Sequence, residues 1–324
     1  MGHLTFSQLT FDDLQGWSAD DHVAALTVYA QSYHACVENG DLPRPDTAGD
    51  QNSARRFFET YFTPTLIENG QTMLFTGYYE PEFLGSRTRV GAYQFPIHST
   101  PTDQIEGETG FSRREIEEQN VLDHQRLEIA WLCDPVDKYF LQIQGSGKIL
   151  LQDGTVMRVG FAAKNGHCYT SVGKLLLAKG EITPENISSD AIRQWVNDNP
   201  SDGRELFWKN ESYVFFKELT DLPVDKGPIG TTNISITELR TIAVDPDFVP
   251  LGLPVWIEKD GLRPLNRLMI AQDTGSAIKG PQRADIFFGS GNVAGDLAGE
   301  TNDGGRMVVL MPKQVVAAQM NGRV

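Results

Sequence analysis

The pattern of apolar and polar positions changes character several times along the chain. Residues 4–40 show helical spacing, with Val23, Leu26, Tyr29, Ala30 and Tyr33 recurring on one face. Asp20 or Asp21 is a candidate N-cap there and Gly40 a candidate stop. A second helix is expected from Asn52 or Ser53 to a point before Pro64. From Thr72 the run TMLFTGYYEPEFLGSRTRVGAYQFPIH is rich in β-branched and aromatic residues and is broken by Gly77, Pro81, Gly85, Gly91 and Pro96, which predicts strands. A strand through Thr76 to Tyr79 places Tyr78 and Tyr79 on opposite faces, one toward the core and one available to a ligand. Phe111 to Ala130 is charged and predicts a surface helix capped at Ser112.

Strands are expected again from Tyr139, with hairpin turns at Gly145-Ser146-Gly147 and Asp153-Gly154. Two short helices follow, SVGKLLLAKGEI and SSDAIRQWVNDNP, the second capped at Ser189 or Asp190 and followed by Pro200. SYVFFKEL reads as a strand and Pro223 to Asn233 as a linker. TIAVDPDFVPLGLPVWIEK brings strands back, with Asp245-Pro246 as a turn, and RMVVLMP is the last strand. Many short strands with Gly and Pro turns predict a mainly β barrel or sandwich, with helices at the front and in the middle.

Composition narrows the function. A chain of 324 residues allows about two domains. Its formal net charge of −15 argues against a nucleic-acid partner, whose phosphates call for a basic surface. Cys36, Cys133 and Cys168 are widely spaced, so neither a thiolate zinc site nor a disulfide is expected. His3, His22, His34, His98, His124 and His167 are scattered without ligand spacing, so neither metal nor cofactor is expected. The apolar runs are shorter than the ~20 residues of a membrane span, and the start Met-Gly-His-Leu-Thr has neither the basic nor the apolar region of a secretory leader.

The chemistry concentrates between Met269 and Gly289. An apolar run, Leu268 to Ala271, leads into Asp273, and Asp285 precedes another, Ile286 to Phe288. Two carboxylates thus stand at the ends of one Gly-rich loop, beside strand-like segments. Apolar neighbours raise a carboxyl pKa by desolvation, as a general acid requires. A buried Asp that caps a turn, or pairs with Lys279 or Arg283, fits the same pattern. Asp245 is a third carboxylate beside an apolar run. Gly145-Ser146-Gly147-Lys148 lacks the earlier glycine of a phosphate loop, leaving either a plain hairpin or a glycine loop whose amides approach a ligand.

The run AVDPDFVPLGLPVW … AQDTGSAIKGPQRADIFFGSG resembles the three-aspartate domain, with Asp245, Asp273 and Asp285 in matching places. Together with FTGYYEPEF, LQIQGSGKILLQDG, GFAAKNGHCYTSVGKLLL, KNESYVFFK and AIRQW, it resembles the membrane-bound lytic murein transglycosylase A family from about Thr76 to Leu310. The resemblance implies a double-psi β-barrel from residues 1–80 and 219–324, a second β-barrel domain inserted at 81–218, and a glycan strand in the groove between them.

It also implies cleavage of the MurNAc–GlcNAc β-1,4 bond of peptidoglycan with formation of 1,6-anhydro-MurNAc, without water. Asp285 is the matching acid and base, and Asp273 positions the substrate or tunes Asp285. Thr76, Gly77, Tyr78 and Tyr79, with Gln144, Gly145, Ser146 and Gly147, are the sugar-binding set; Asp245, mainly structural, and Lys279 are counted with it. A periplasmic monomer is implied, attached to the outer membrane only through a leader that this sequence does not show. The competing expectations are a non-catalytic glycan-binding module and a lysozyme-type muramidase with Asp273 as second carboxylate.

Overall fold

The computed structural model describes residues 3–36, 42–104, 108–220, 222 and 226–320. Two compact units emerge, one of Met1–Tyr79 with Pro223–Val324 and one of Glu80–Leu222. The fold is mainly β with helices, as the sequence predicts. Gly40 and the first residues of the expected linker lie outside the described residues.

The first unit opens with β1 (Thr5–Gln8), α1 (His22–Cys36), α2 (Gln51–Tyr61), β2 (Phe62–Glu68) and β3 (Leu74–Glu80). Among the described residues, the helix expected over residues 4–40 is therefore confined to α1. Ahead of it lie a strand and two single-turn 3-10 helices, Phe11–Asp13 and Trp17–Ala19. Thr10 and Asp13 close the first turn on each other as a capping box, and Gly16 reverses the chain in the left-handed region at φ +81°. Asp21 is the residue that caps α1, accepting from the Ala24 amide at 3.0 Å. Asp20 instead takes both ends of the Arg240 guanidinium, at 2.8 and 3.0 Å. The apolar stripes of α1 and α2 bury Leu26, Tyr29, Phe57 and Phe58 against Trp256, Leu268, Ile270 and Val308 of the sheet.

The second unit contains β4 (Glu82–Ser86), β5 (Phe95–His98), α3 (Arg113–Glu117), β6 (Glu128–Leu132), α4 (Pro135–Gln144), β7 (Ser146–Leu151), β8 (Val156–Lys164), α5 (Val172–Lys179), α6 (Ser189–Asp198), α7 (Pro200–Trp208) and β9 (Val214–Glu218). Its six strands run in the order β5-β6-β4-β7-β8-β9. The long surface helix expected from Phe111 to Ala130 shrinks to α3. Ser112 caps it as expected, but Asn120 and Arg126 sit at φ +54° and break the helical path. The strand expected at Tyr139 is α4. Asp134 caps its first turn and Pro135 occupies the first helical position, while Val136 and Tyr139 turn inward. Gly145 ends this helix at φ +76°, so it is a helix stop and not a hairpin corner. Ser188 caps α6, and Pro200, expected only as a stop, begins a further helix, α7.

The chain then returns to the first unit with β10 (Thr241–Val244), β11 (Pro254–Lys259), β12 (Leu265–Thr274), β13 (Arg283–Ser290), α8 (Asn292–Glu300), β14 (Asn302–Asp303), β15 (Gly305–Pro312) and α9 (Lys313–Met320). Nine strands order as β1-β2-β15-β11-β12-β10-β13-β3-β14. The short strand β10 lies at the centre of interest, parallel to β12 and antiparallel to β13. Ile242 and Val244 of β10 enter a core with Phe75, Ala271, Ala284 and Ile286. Ala243 therefore faces the other side of the sheet.

Candidate active site

Strand register brings two of the three aspartates together. Ala243 is the partner of Asp273 on one side and of Asp285 on the other. Residues directly opposite in a sheet share a face. Asp273 reaches that face through an irregularity: Ile242 pairs with Ala271 and Ala243 with Asp273, so Gln272 is an extra residue. Gln272 is fully buried, with its side chain held by Thr241 and Ser32. The two carboxylates thus flank a single methyl side chain, their backbones about two strand spacings, ~10 Å, apart.

Asp285 is half-buried between β10 and β3. Its Oδ1 accepts a 2.5 Å hydrogen bond from the Thr76 hydroxyl. Thr76 Oγ1 in turn accepts from Nη2 of Arg283 at 2.9 Å. Burial raises the Asp285 carboxyl above the ordinary carboxylate range, and the charge of Asp273 pushes the same way, against the Thr76 hydrogen bond and the Arg283 charge. Desolvation wins, so the proton is held to higher pH, as the apolar run Ile286 to Phe288 predicts.

Asp273 is held quite differently. Its Oδ1 accepts from the Thr231 amide at 3.0 Å, the Thr231 hydroxyl at 2.8 Å and the Thr274 amide at 2.9 Å. Its Oδ2 accepts from the Tyr78 hydroxyl at 3.0 Å. Burial pushes that hydroxyl well above its ordinary range, helped by the charges of Asp273 and Asp285, so Tyr78 stays a neutral donor. The Tyr78 ring packs beside Phe287 at 5.2 Å between centroids.

The remaining predicted residues divide. Tyr79 packs against the core and lies over Gly295 of α8, so it is the core-facing member of the tyrosine pair. Gly77 is a packing residue: a Cβ there would meet the Ala298 backbone at 2.6 Å. Asp245 is buried and spent on the Gly280 amide at 2.9 Å and Lys279 Nζ at 3.3 Å. Burial works to raise its carboxyl, yet those hydrogen bonds hold it below the ordinary range. Asp245 with Lys279 thus ties down the loop between the other two aspartates instead of presenting a ligand group. Gln144 to Gly147 belong to the second unit, where they form the end of α4 and the start of β7; Gly147 is buried beside Leu141 and Pro81.

Sequence reading missed Thr231, which sits in the expected linker and carries no local signal. It saw Arg283 only as a direct ion-pair partner of Asp285, whereas the guanidinium reaches the carboxylate through Thr76. The alternation of Arg283 and Asp285 on one strand was the available signal. A cavity of about 710 Å³ lies in the second unit, walled by Trp131, Tyr139, Phe207 and Trp208, and Asp245, Asp273 and Asp285 do not line it. Among the described residues no cluster of His, Cys, Asp and Glu is suited to a metal ion.

Two family models match the chain: the MltA specific insert domain over residues 74–217 and the 3D domain over residues 240–311. The membrane-bound lytic murein transglycosylase A of Escherichia coli (strain K12) is 35% identical over 272 residues, covering 81% of this chain and 72% of that protein. A membrane-bound lytic murein transglycosylase from Agrobacterium tumefaciens superposes with a TM-score of 0.84 at 30% identity, over 98% of this chain and 99% of that one. The E. coli MltA with bound chitohexaose gives a TM-score of 0.76 at 30% identity, over 95% and 94% of the two chains. The register that sets Asp273 and Asp285 beside Ala243 lies within the 3D-domain match, and the chain belongs to the membrane-bound lytic murein transglycosylase A family.

Proposed function

We propose that this lytic murein transglycosylase cleaves the MurNAc–GlcNAc β-1,4 bond of peptidoglycan with Asp285 as both acid and base. The observation that carries the reading is the placement of Asp285, half-buried on the Ala243 face opposite Asp273 and bonded on one oxygen by Thr76, where burial raises its carboxyl above the ordinary range. The protonated carboxyl gives its proton to the glycosidic oxygen as the C1–O bond breaks. The resulting carboxylate then takes the proton of the MurNAc C6 hydroxyl as that oxygen bonds to C1. No water is consumed, the proton count returns to its start, and the product ends in a 1,6-anhydro ring. Because the nucleophile is tethered to the reacting sugar, proximity replaces the second catalytic carboxylate of ordinary glycosidases. Asp273 acts as a fixed charge that raises Asp285, and Tyr78 holds Asp273 in place.

The printed name of the E. coli relative, membrane-bound, supports periplasmic action at the outer membrane; among the described residues no helix is long and apolar enough to cross a membrane. The proposed acting species is a monomer. Digestion of murein in ¹⁸O-water, read by mass spectrometry, tests the chemistry. Anhydro ends without label are expected. Labelled reducing ends as the main product would replace this reading with a two-carboxylate muramidase, and binding without cleavage would leave a glycan-binding module.

A further inference from the structure

We propose that Arg283 is a positioning residue that acts through Thr76 to fix the catalytic proton on Oδ2 of Asp285. The inference rests on the reading of Asp285 as the acid. The chain of hydrogen bonds has a direction. Arginine has donors only and is not deprotonated in proteins, so its bond to Thr76 Oγ1 runs one way. The guanidinium is itself clamped, because Nη1 donates to the Ala284 carbonyl at 2.7 Å and the Leu74 carbonyl at 3.4 Å, one on each strand. Thr76 has a single hydroxyl hydrogen, and its other bond goes to Asp285 Oδ1.

Thr76 is therefore acceptor toward Arg283 and donor toward Asp285. Oδ1 is held as an acceptor, and the acid proton resides on Oδ2. Turning the last bond round, with Oδ1 carrying the proton, would strip the Thr76 hydroxyl hydrogen of its partner and set that proton nearer the Arg283 charge. A carboxylic acid protonates a leaving group from one oxygen in one direction, so fixing that oxygen is part of the orientation of the acid. The ionisable groups acting on Asp285 are Arg283 on its own strand, Asp273 from β12 and Tyr78 from β3. Arg283 is the only cation among these, so it sets the proton's place without forcing the carboxyl to ionise.

The test is the pH profile of murein turnover by Arg283→Met, Thr76→Val and Thr76→Ser in the full chain. Turnover is lost on the alkaline side as Asp285 gives up its proton. Arg283→Met removes a charge that favours the carboxylate and frees the hydroxyl to turn. The expected result is a kcat about 10- to 100-fold lower, an alkaline limb moved to higher pH, and KM within about twofold of wild type. Thr76→Val moves the limb the same way by removing the donor, and Thr76→Ser restores the wild-type profile. A purely structural role for Arg283 would lower activity without moving the limb. An unmoved limb in Arg283→Met, with Asp285→Asn inactive in the same assay, overturns the inference and leaves the acid assignment standing. An active Asp285→Asn instead removes the acid assignment itself. If circular dichroism shows Arg283→Met to be unfolded, Thr76→Val decides by the same criterion, since it is nearly isosteric.

Discussion

Gly77→Ala separates a packing role from a sugar-binding role at the strand that carries Thr76. The added Cβ would lie 2.6 Å from the Ala298 Cα and 2.7 and 2.8 Å from two carbons of the Phe288 ring. Ordinary carbon contacts lie near 3.5–4.0 Å, so β3 and α8 must separate by roughly 1 Å. Overpacking of this kind costs about 1–3 kcal/mol, which lowers Tm by roughly 2–12 °C for a unit of this size. Thr76 is the next residue on the same strand. A shift of ~1 Å stretches its 2.5 Å bond to Asp285 beyond hydrogen-bonding length. A misplacement on that scale in an active site costs ~100-fold in rate. Thermal unfolding and murein turnover, measured on one preparation, check both numbers. The expected signature is a lower Tm with a lower kcat. A variant with the Tm of the wild type and a raised KM would refute the packing argument and return Gly77 to the sugar-binding set.

Two further outcomes follow from the charges around the acid. Asp285 has a raised carboxyl in the folded state, so its contribution to stability is fully present below the unfolded value and is lost as pH rises through the folded one. Asp285→Asn is neutral at every pH, so in denaturant unfolding it is more stable than wild type at neutral pH, with the gap closing in acid; a neutral-pH loss of stability would count against a desolvated carboxyl. Asp273→Asn removes the charge that pushes Asp285 up, so the alkaline limb of turnover moves to lower pH, opposite to Arg283→Met; a limb moved to higher pH would contradict the coupling.

The pair of carboxylates beside strand ends was legible in the chain because Thr274-Gly275 and Gly280-Pro281 are strong turn signals and Ile286-Phe287-Phe288 a strong strand. Their partners were not. Thr76 lies 209 residues from Asp285 and Tyr78 lies 195 from Asp273, distances over which no local pattern speaks. The strand-for-helix error at Tyr139 has a local cause. YFLQI is a short apolar run, and such runs fit either period. The deciding signal was outside it, in Asp134-Pro135, a helix start. Strand β1 gave no signal because every one of its residues is exposed, so it lacks alternation; only its ladder with β2 makes it a strand. Helix α8 gave little helical signal because Gly291 precedes it and Gly295 and Gly299 lie within it, and glycine is a poor helix former. Gly295 is required there because the Tyr79 ring would meet a Cβ at 2.9 Å.

The difference between Asp273 and Asp285 bears on why one carboxylate would suffice in the proposed reaction. A carboxylate offers about four acceptor sites on two oxygens. Asp273 receives four hydrogen bonds from three residues, the amide and hydroxyl of Thr231, the amide of Thr274 and the hydroxyl of Tyr78. A base that activates water needs a free site facing that water, and a nucleophile needs an oxygen free to approach C1. Three of these bonds fall on Oδ1 and one on Oδ2, and the Oδ1 donors cannot leave without unpicking the loop around Thr231. Asp285 accepts the Thr76 hydroxyl on one oxygen, which leaves the other to carry the proton in the arrangement proposed above. One group is fixed by donors on both oxygens, and the other keeps an oxygen for the proton exchange proposed above. Burial and the charge of Asp273 both raise the Asp285 carboxyl, which favours its protonated form at the start of the proposed reaction. After protonating the leaving oxygen it is a carboxylate whose raised pKa favours taking up the C6 proton in the proposed reaction. Swinging Asp273 round to attack C1 would break its bonds to Thr231, Thr274 and Tyr78, which is a cost that the anhydro route does not incur.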